Sequence, residues 1–100
     1  MKNQCNMKAF NDTEKQFLAN YRPADEHFTS SEEIEQVAKA LNLKEMANEQ
    51  LHDTRDAVVK LYDEKLDAEF VDGKRTENFW GVMSAMQSVV AVIDSVMYNV

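Results

Sequence analysis

Apolar positions recur at intervals of three and four along most of the chain, the period of a helix with one buried face, and they predict four helices. Phe10, Phe17, Leu18 and Tyr21 mark the first, over residues 13–21, with Asn11 or Asp12 as its cap. Pro23 ends it, because the residue before a proline, Arg22, is pushed out of the helical region. The second has a strong start signal. Ser30 with Glu33 three positions on forms a capping box ahead of Ile34, Val37, Ala38 and Leu41. Asn42 with Glu45 reads as another cap, so a third helix is expected from Leu43 to the Asp72-Gly73 turn, roughly 27 residues or about 40 Å at 1.5 Å per residue. Its apolar face is Leu43, Met46, Ala47, Leu51, Thr54, Val58, Leu61 and Tyr62. Asp72-Gly73-Lys74 turns the chain, Thr76 caps, and a fourth helix runs over residues 77–98.

A short turn between two long helices makes them antiparallel neighbours. The expected fold is therefore all-α, a small antiparallel helical bundle built on a long helical hairpin. Residues 1–10 read as a flexible tail and residues 11–100 as one helical domain.

Between Phe79 and Met97 only Asp94 is charged, which raises the question of a membrane span. The polar residues are sorted, however. Val82, Ala85, Met86, Val89, Val90, Val92, Ile93, Val96 and Met97 occupy one half of the helix circumference, and Gly81, Ser84, Gln87, Ser88, Asp94 and Ser95 the other. A helix surrounded by lipid has no reason to segregate them, so a soluble amphipathic helix is expected. The second half carries small residues at spacings of three and four, flanked by aromatics, and small side chains let another helix approach closely. Trp80, Ser84, Ser88, Ala91, Ser95 and Tyr98 are accordingly expected to form the seam of a homodimer or higher homo-oligomer, a common remedy for the thin core of a 100-residue chain.

Composition narrows the classes further. Two Gly and one Pro are too few for a sandwich or barrel, which needs a turn every 8–12 residues or so. One cysteine, Cys5, excludes an intramolecular disulfide framework and a Cys-rich zinc module. With no apolar stretch after Met1 and a lone thiol, a cytoplasmic location is expected; Met7 is an alternative start. Eighteen acidic against eleven basic residues give a net charge of −7, which opposes direct binding to nucleic acid.

Much of that charge falls on one line. Glu45, Glu49, Asp56, Asp63 and Asp67, with Asp53 beside them, share a narrow arc of the third helix over roughly 33 Å, interrupted by Lys60 and edged by His52. Such a face is either simply solvated or a docking surface for a basic partner, whose approach it accelerates electrostatically.

Motifs for chemistry are sparse. Glu49-x-x-His52 has the spacing of a di-iron ligand pair, but His27, the only other histidine, stands in no matching motif, so no metal site is expected. Glu32-x-x-Glu35 followed by Glu64-x-x-Asp67 superficially resembles the acidic motifs of all-helical nucleoside triphosphate pyrophosphohydrolases, which implies a Mg²⁺-dependent nucleotide hydrolase. Four acidic pairs of this spacing occur, against about three expected by chance at this acid content. Residues 37–51 resemble the first helix and turn of a helix-turn-helix, although the would-be recognition helix, Lys44 to Gln50, is not basic. With two glycines there is no phosphate-cradling loop.

The reading that accommodates most of this is a non-enzymatic, cofactor-free protein-binding module. Its partner is a larger protein with a basic surface, met through Glu45, Glu49, Asp53, Asp56, Asp63 and Asp67. Small acidic helical inhibitors encoded by phages and mobile elements, antitoxins and immunity proteins offer a class-level analogy. The alternatives are the Mg²⁺-dependent hydrolase and a protein whose only partner is itself.

Overall fold

A computed structural model of the chain describes residues 10–24 and 29–98. The tail up to Ala9, with Cys5 and Met7, lies outside the described residues, as does His27. The described part is mostly helical, 74% helix, with four helices and a small two-strand sheet. Helix α1 is Asp12–Asn20, α2 Ser31–Ala40, α3 Asn48–Ala68 and α4 Phe79–Tyr98. A single 3-10 turn, Leu43–Glu45, joins α2 to α3, and a ribbon of β1 (Phe70–Val71) and β2 (Lys74–Arg75) joins α3 to α4.

The first two helices begin at reciprocal capping boxes. The Asn11 side chain accepts the Glu14 N–H at 2.8 Å, and Glu14 accepts the Asn11 N–H at 3.0 Å. Ser30 and Glu33 make the same exchange, at 3.2 and 3.1 Å. Each pair satisfies two backbone donors that have no partner inside the helix. Glu33 also accepts the Ala24 N–H at 2.9 Å, and these backbone donors hold its carboxyl below the usual carboxylate range. The lowered value means that this contribution to stability is complete above pH 4.5 and is lost as pH falls through the folded value. Replacing Glu33 by Gln is thus expected to lower the melting temperature at pH 7, and the deficit relative to wild type should shrink in melts below about pH 4.

The third helix departs from expectation. Asn42 does not cap it; its φ of 57° places it in the left-handed region, and its N–H closes back on the Lys39 carbonyl at 3.2 Å. Asn tolerates that conformation, and here it terminates α2 instead of starting α3. Leu41 and Leu43 on either side are both fully buried, so the connection is pinned to the core and must turn before the next helix starts. That helix begins at Asn48, with Gln50 accepting the Ala47 N–H at 3.0 Å, and its 21 residues span about 31 Å. Glu45 therefore lies on the 3-10 turn and not on α3. Lys44 and Glu45 do not form part of a helix continuing to Gln50, which removes the helix-turn-helix resemblance.

The second departure is the ribbon. Phe70 pairs with Arg75 and Val71 with Lys74, leaving Asp72 (φ 54°) and Gly73 (φ 77°) as a two-residue turn with both φ values positive. Asp-Gly meets that requirement, since Gly has no Cβ to clash there. Gly73→Ala meets no neighbouring atom yet should lower stability by roughly 1 kcal/mol, seen as a lower melting temperature, because the left-handed backbone itself is strained for alanine. Thr76 does not cap α4. Its hydroxyl bonds the Glu69 carboxylate and its N–H donates to the Glu69 carbonyl at 2.9 Å, clasping the ribbon to the end of α3.

Helices α3 and α4 run side by side in opposite directions, with Arg55 meeting Asp94 at 3.0 Å near one end and Phe70 stacking edge-on against Phe79 at the other. Leu51, Val58, Tyr62 and Leu66 of α3 face Val82, Ala85, Val89, Val92 and Ile93 of α4 within one buried cluster. Leu18 of α1, Val37 and Ala38 of α2, and Phe10, Tyr21, Leu41 and Leu43 beside those helices belong to the same cluster. By length and composition α4 is apolar enough to cross a membrane, with a mean hydropathy of 1.4 over its most apolar window. Eight of its twenty residues are buried against the rest of the protein.

Three of the last four carbonyls of α1 have donors from beyond the helix. Phe17 accepts the Tyr21 N–H at 2.8 Å, Leu18 accepts the Tyr62 hydroxyl at 2.9 Å, and Ala19 accepts the Arg22 guanidinium at 3.3 Å. Tyr62, fully buried on α3, thus acts as a C-terminal cap for a helix 44 residues earlier.

Candidate protein-interaction surface

Every buried residue of α3 lies on the side of Leu51, Thr54, Ala57, Val58, Tyr62 and Leu66, which leaves the opposite side to water. Glu49, Asp53, Asp56, Lys60, Asp63 and Asp67 follow at alternating steps of four and three on that side, a single row about 27 Å long. Glu49, Asp56, Asp63 and Asp67 are exposed and Asp53 is half-buried. None of the five is in an ion pair with another described residue, and Lys60 is the one cation in the row. Like charges one helical turn apart, Glu49 with Asp53, Asp53 with Asp56 and Asp63 with Asp67, repel, while Lys60 relieves the repulsion between Asp56 and Asp63.

The expected seam on α4 is divided by the structure. Ser88 is buried, and its hydroxyl lies 2.8 Å from the Tyr21 hydroxyl and 3.1 Å from that of Thr29. Gly81 lies beneath the Arg22 side chain, whose Nε is 3.3 Å from where a Cβ would stand. Small residues do permit close approach here, but what approaches is the chain's own Tyr21, Arg22 and Thr29, between α1 and α2. Ser88 is therefore a core residue and unavailable to a second copy. Of the remaining seam residues, Ser84 and Ser95 are half-buried, while Ala91, Trp80 and Tyr98 are exposed, the last two by 57% and 64%.

Burial raises the pKa of the Tyr21 phenol, so its hydroxyl stays protonated as a partner for Ser88. Ser88→Ala should lower stability by about 1 kcal/mol, measured by thermal unfolding, without altering the oligomeric state.

The ribbon adds a feature that periodicity alone did not disclose. The Arg75 guanidinium lies 5.1 Å from the ring centre of Phe79, 5.4 Å from Trp80 and 5.9 Å from Phe70. The three rings meet edge to face, Phe79 with Phe70 at 5.4 Å and with Trp80 at 5.0 Å. Phe79 is buried, but Phe70, Val71 and Trp80 remain exposed. The Asp-Gly pair between Phe70-Val71 and Lys74-Arg75 was the available signal.

Two concavities accompany these surfaces. One, of about 280 Å³, is lined by His52, Arg55, Asp94, Met97 and Tyr98. The other, of about 550 Å³, lies along α1 and is lined by Thr13, Gln16, Phe17, Asn20, Tyr21, Arg22 and Gln36. Among the described residues, no group of three or more His, Cys, Asp or Glu side chains is placed to hold a metal ion. Glu32, Glu35, Glu64 and Asp67 thus do not assemble the site that the pyrophosphohydrolase resemblance implies, and Glu35 instead pairs with Lys44 at 2.6 Å. No protein-family model matches the chain, and neither does a curated protein or a solved structure.

Proposed function

We propose that this chain is a small acidic protein-binding module, non-enzymatic and cytoplasmic, that inhibits or adapts a larger protein with a basic surface. The observation that carries the reading is the row of carboxylates on α3, Glu49, Asp53, Asp56, Asp63 and Asp67, exposed or half-exposed and free of ion pairs among the described residues. A rigid helix holds these charges in register, so a partner gains their attraction without having to order them. Glu45 sits on the preceding turn and extends the same surface toward α2.

Self-association takes second place. Ser88 is consumed within the chain, and a net charge of −7 works against packing two copies together. The exposed part of the seam that remains for a second copy is Trp80, Ala91 and Tyr98.

Affinity capture from a cell lysate, washed at low and then moderate salt with the retained proteins identified by mass spectrometry, tests the reading. One stoichiometric partner with a basic surface, released as salt rises, is the expected result. Retention of no protein at either salt contradicts it.

A further inference from the structure

The carboxylate row supplies attraction over distance but little apolar area, and stable interfaces draw most of their energy from a few buried aromatic and Arg side chains. Such a group lies where the row ends. Asp67 is three residues before Phe70, and the ribbon then places Phe70 opposite Arg75, five residues before Trp80 on α4. Phe70, Val71 and Trp80 are exposed by 45%, 57% and 57%, three of the four large hydrophobic side chains so exposed among the described residues. The ring contacts and the central guanidinium hold Phe70 and Trp80 in fixed orientations, which lowers the entropy lost when a partner covers them.

We propose that Phe70, Val71 and Trp80 around Arg75 form the apolar anchor of the partner interface. They receive an aliphatic side chain that the partner presents between lysines or arginines. The inference rests on the acidic-row reading and adds to it where the partner is held and by what chemistry.

Charge decides the occupant. Between residues 67 and 77 the acids Asp67, Glu69, Asp72 and Glu77 outnumber the exposed bases Lys74 and Arg75, so the rim of the patch is net negative, and Asp67, Asp72 and Glu77 form no ion pair among the described residues. A second copy brings the same net negative rim against itself, whereas a cationic segment neutralises it.

Trp80 is the only tryptophan, so its fluorescence reports on the patch directly. The probe is a tryptophan-free helical peptide of Leu and Lys, with a Leu and Glu peptide of equal length as control. Calorimetry runs in parallel. The Leu-Lys peptide should shift Trp80 emission to shorter wavelength in a saturable way, and the Leu-Glu peptide should not. Val71→Ser, which removes no ring contact, and Phe70→Ser should each weaken the Leu-Lys peptide by about 30-fold.

An equal response to both peptides overturns the proposal, as does a concentration-dependent shift of the protein alone, which marks a second copy as the occupant. A comparable shift with phosphatidylcholine vesicles overturns it in favour of a membrane surface. Calorimetric binding that leaves Trp80 unmoved and disappears in Asp56→Lys/Asp63→Lys refutes the anchor while leaving the acidic row standing. No calorimetric binding of the Leu-Lys peptide refutes both.

Discussion

Tyr62→Ala is expected to lower stability by about 3–5 kcal/mol, the largest effect of any single substitution discussed for this chain. The ring is fully buried between α3, α4 and α1, so its removal leaves a cavity that the surrounding helices close only in part. The hydroxyl is also lost, and with it the donor to the Leu18 carbonyl at the end of α1. Domains of this size have total stabilities of roughly 5–15 kcal/mol, so Tyr62→Ala should lower the melting temperature by more than about 12 °C. Tyr62→Phe separates the two contributions, since it keeps the ring and orphans the carbonyl, for an expected cost of about 1–3 kcal/mol. Far-UV circular dichroism during heating measures both. A Tyr62→Ala cost below about 1 kcal/mol would mean that α1 does not dock on α3 as described.

The same residue gives the protein an alkaline limit. Burial raises the Tyr62 phenol well above its ordinary value of 10.0. A raised folded-state value means that the contribution to stability is complete below pH 10, where both states hold the proton. It is lost as pH rises past 10, where the unfolded chain gives up a proton that the folded one retains. Tyr62→Phe removes this contribution, so its melting temperature should fall less than that of wild type over the same alkaline range.

The second large effect concerns binding. Asp56→Lys/Asp63→Lys changes the net charge from −7 to −3, each reversal adding two, and places two cations in the middle of the carboxylate row. Both positions are exposed and form no ion pair among the described residues, so helicity should be unchanged. Association with a basic partner should slow by about 100-fold at low salt, the scale of electrostatic steering. Unchanged affinity in a double variant that is still folded would remove the acidic row from the interface.

How much of this was legible in the sequence depends on how local each determinant is. The Ser30/Glu33 box is three residues wide and α2 begins where it says, while Asn11, one of the two caps the sequence offered, starts α1 one residue ahead of expectation. The segregation on α4 was readable for the same reason, because one helix contains it whole. Asn42 was ambiguous in principle: an Asn between two apolar runs serves as an N-cap or as a left-handed C-terminal residue. The burial of Leu41 and Leu43 decides between them. Ser88 was misplaced because its partner Tyr21 is 67 residues away and no period along α4 encodes it. The ribbon has two-residue strands, too short for alternation to register. The meeting of Arg75 with three rings follows only once the Phe70–Arg75 register is known.

For the candidate surface, the exposed acids were readable as a helical face, and the aromatic group at its end was not, apart from Trp80. A face is a property of one element, whereas the patch is a property of three.

The most direct test is the association rate constant for the captured partner, measured by surface plasmon resonance as ionic strength is raised from about 10 mM to about 300 mM, across which the Debye length falls from about 30 Å to less than 8 Å. The acidic-row account predicts an association rate that falls steeply over that range while the dissociation rate changes little. An association rate indifferent to salt would contradict it.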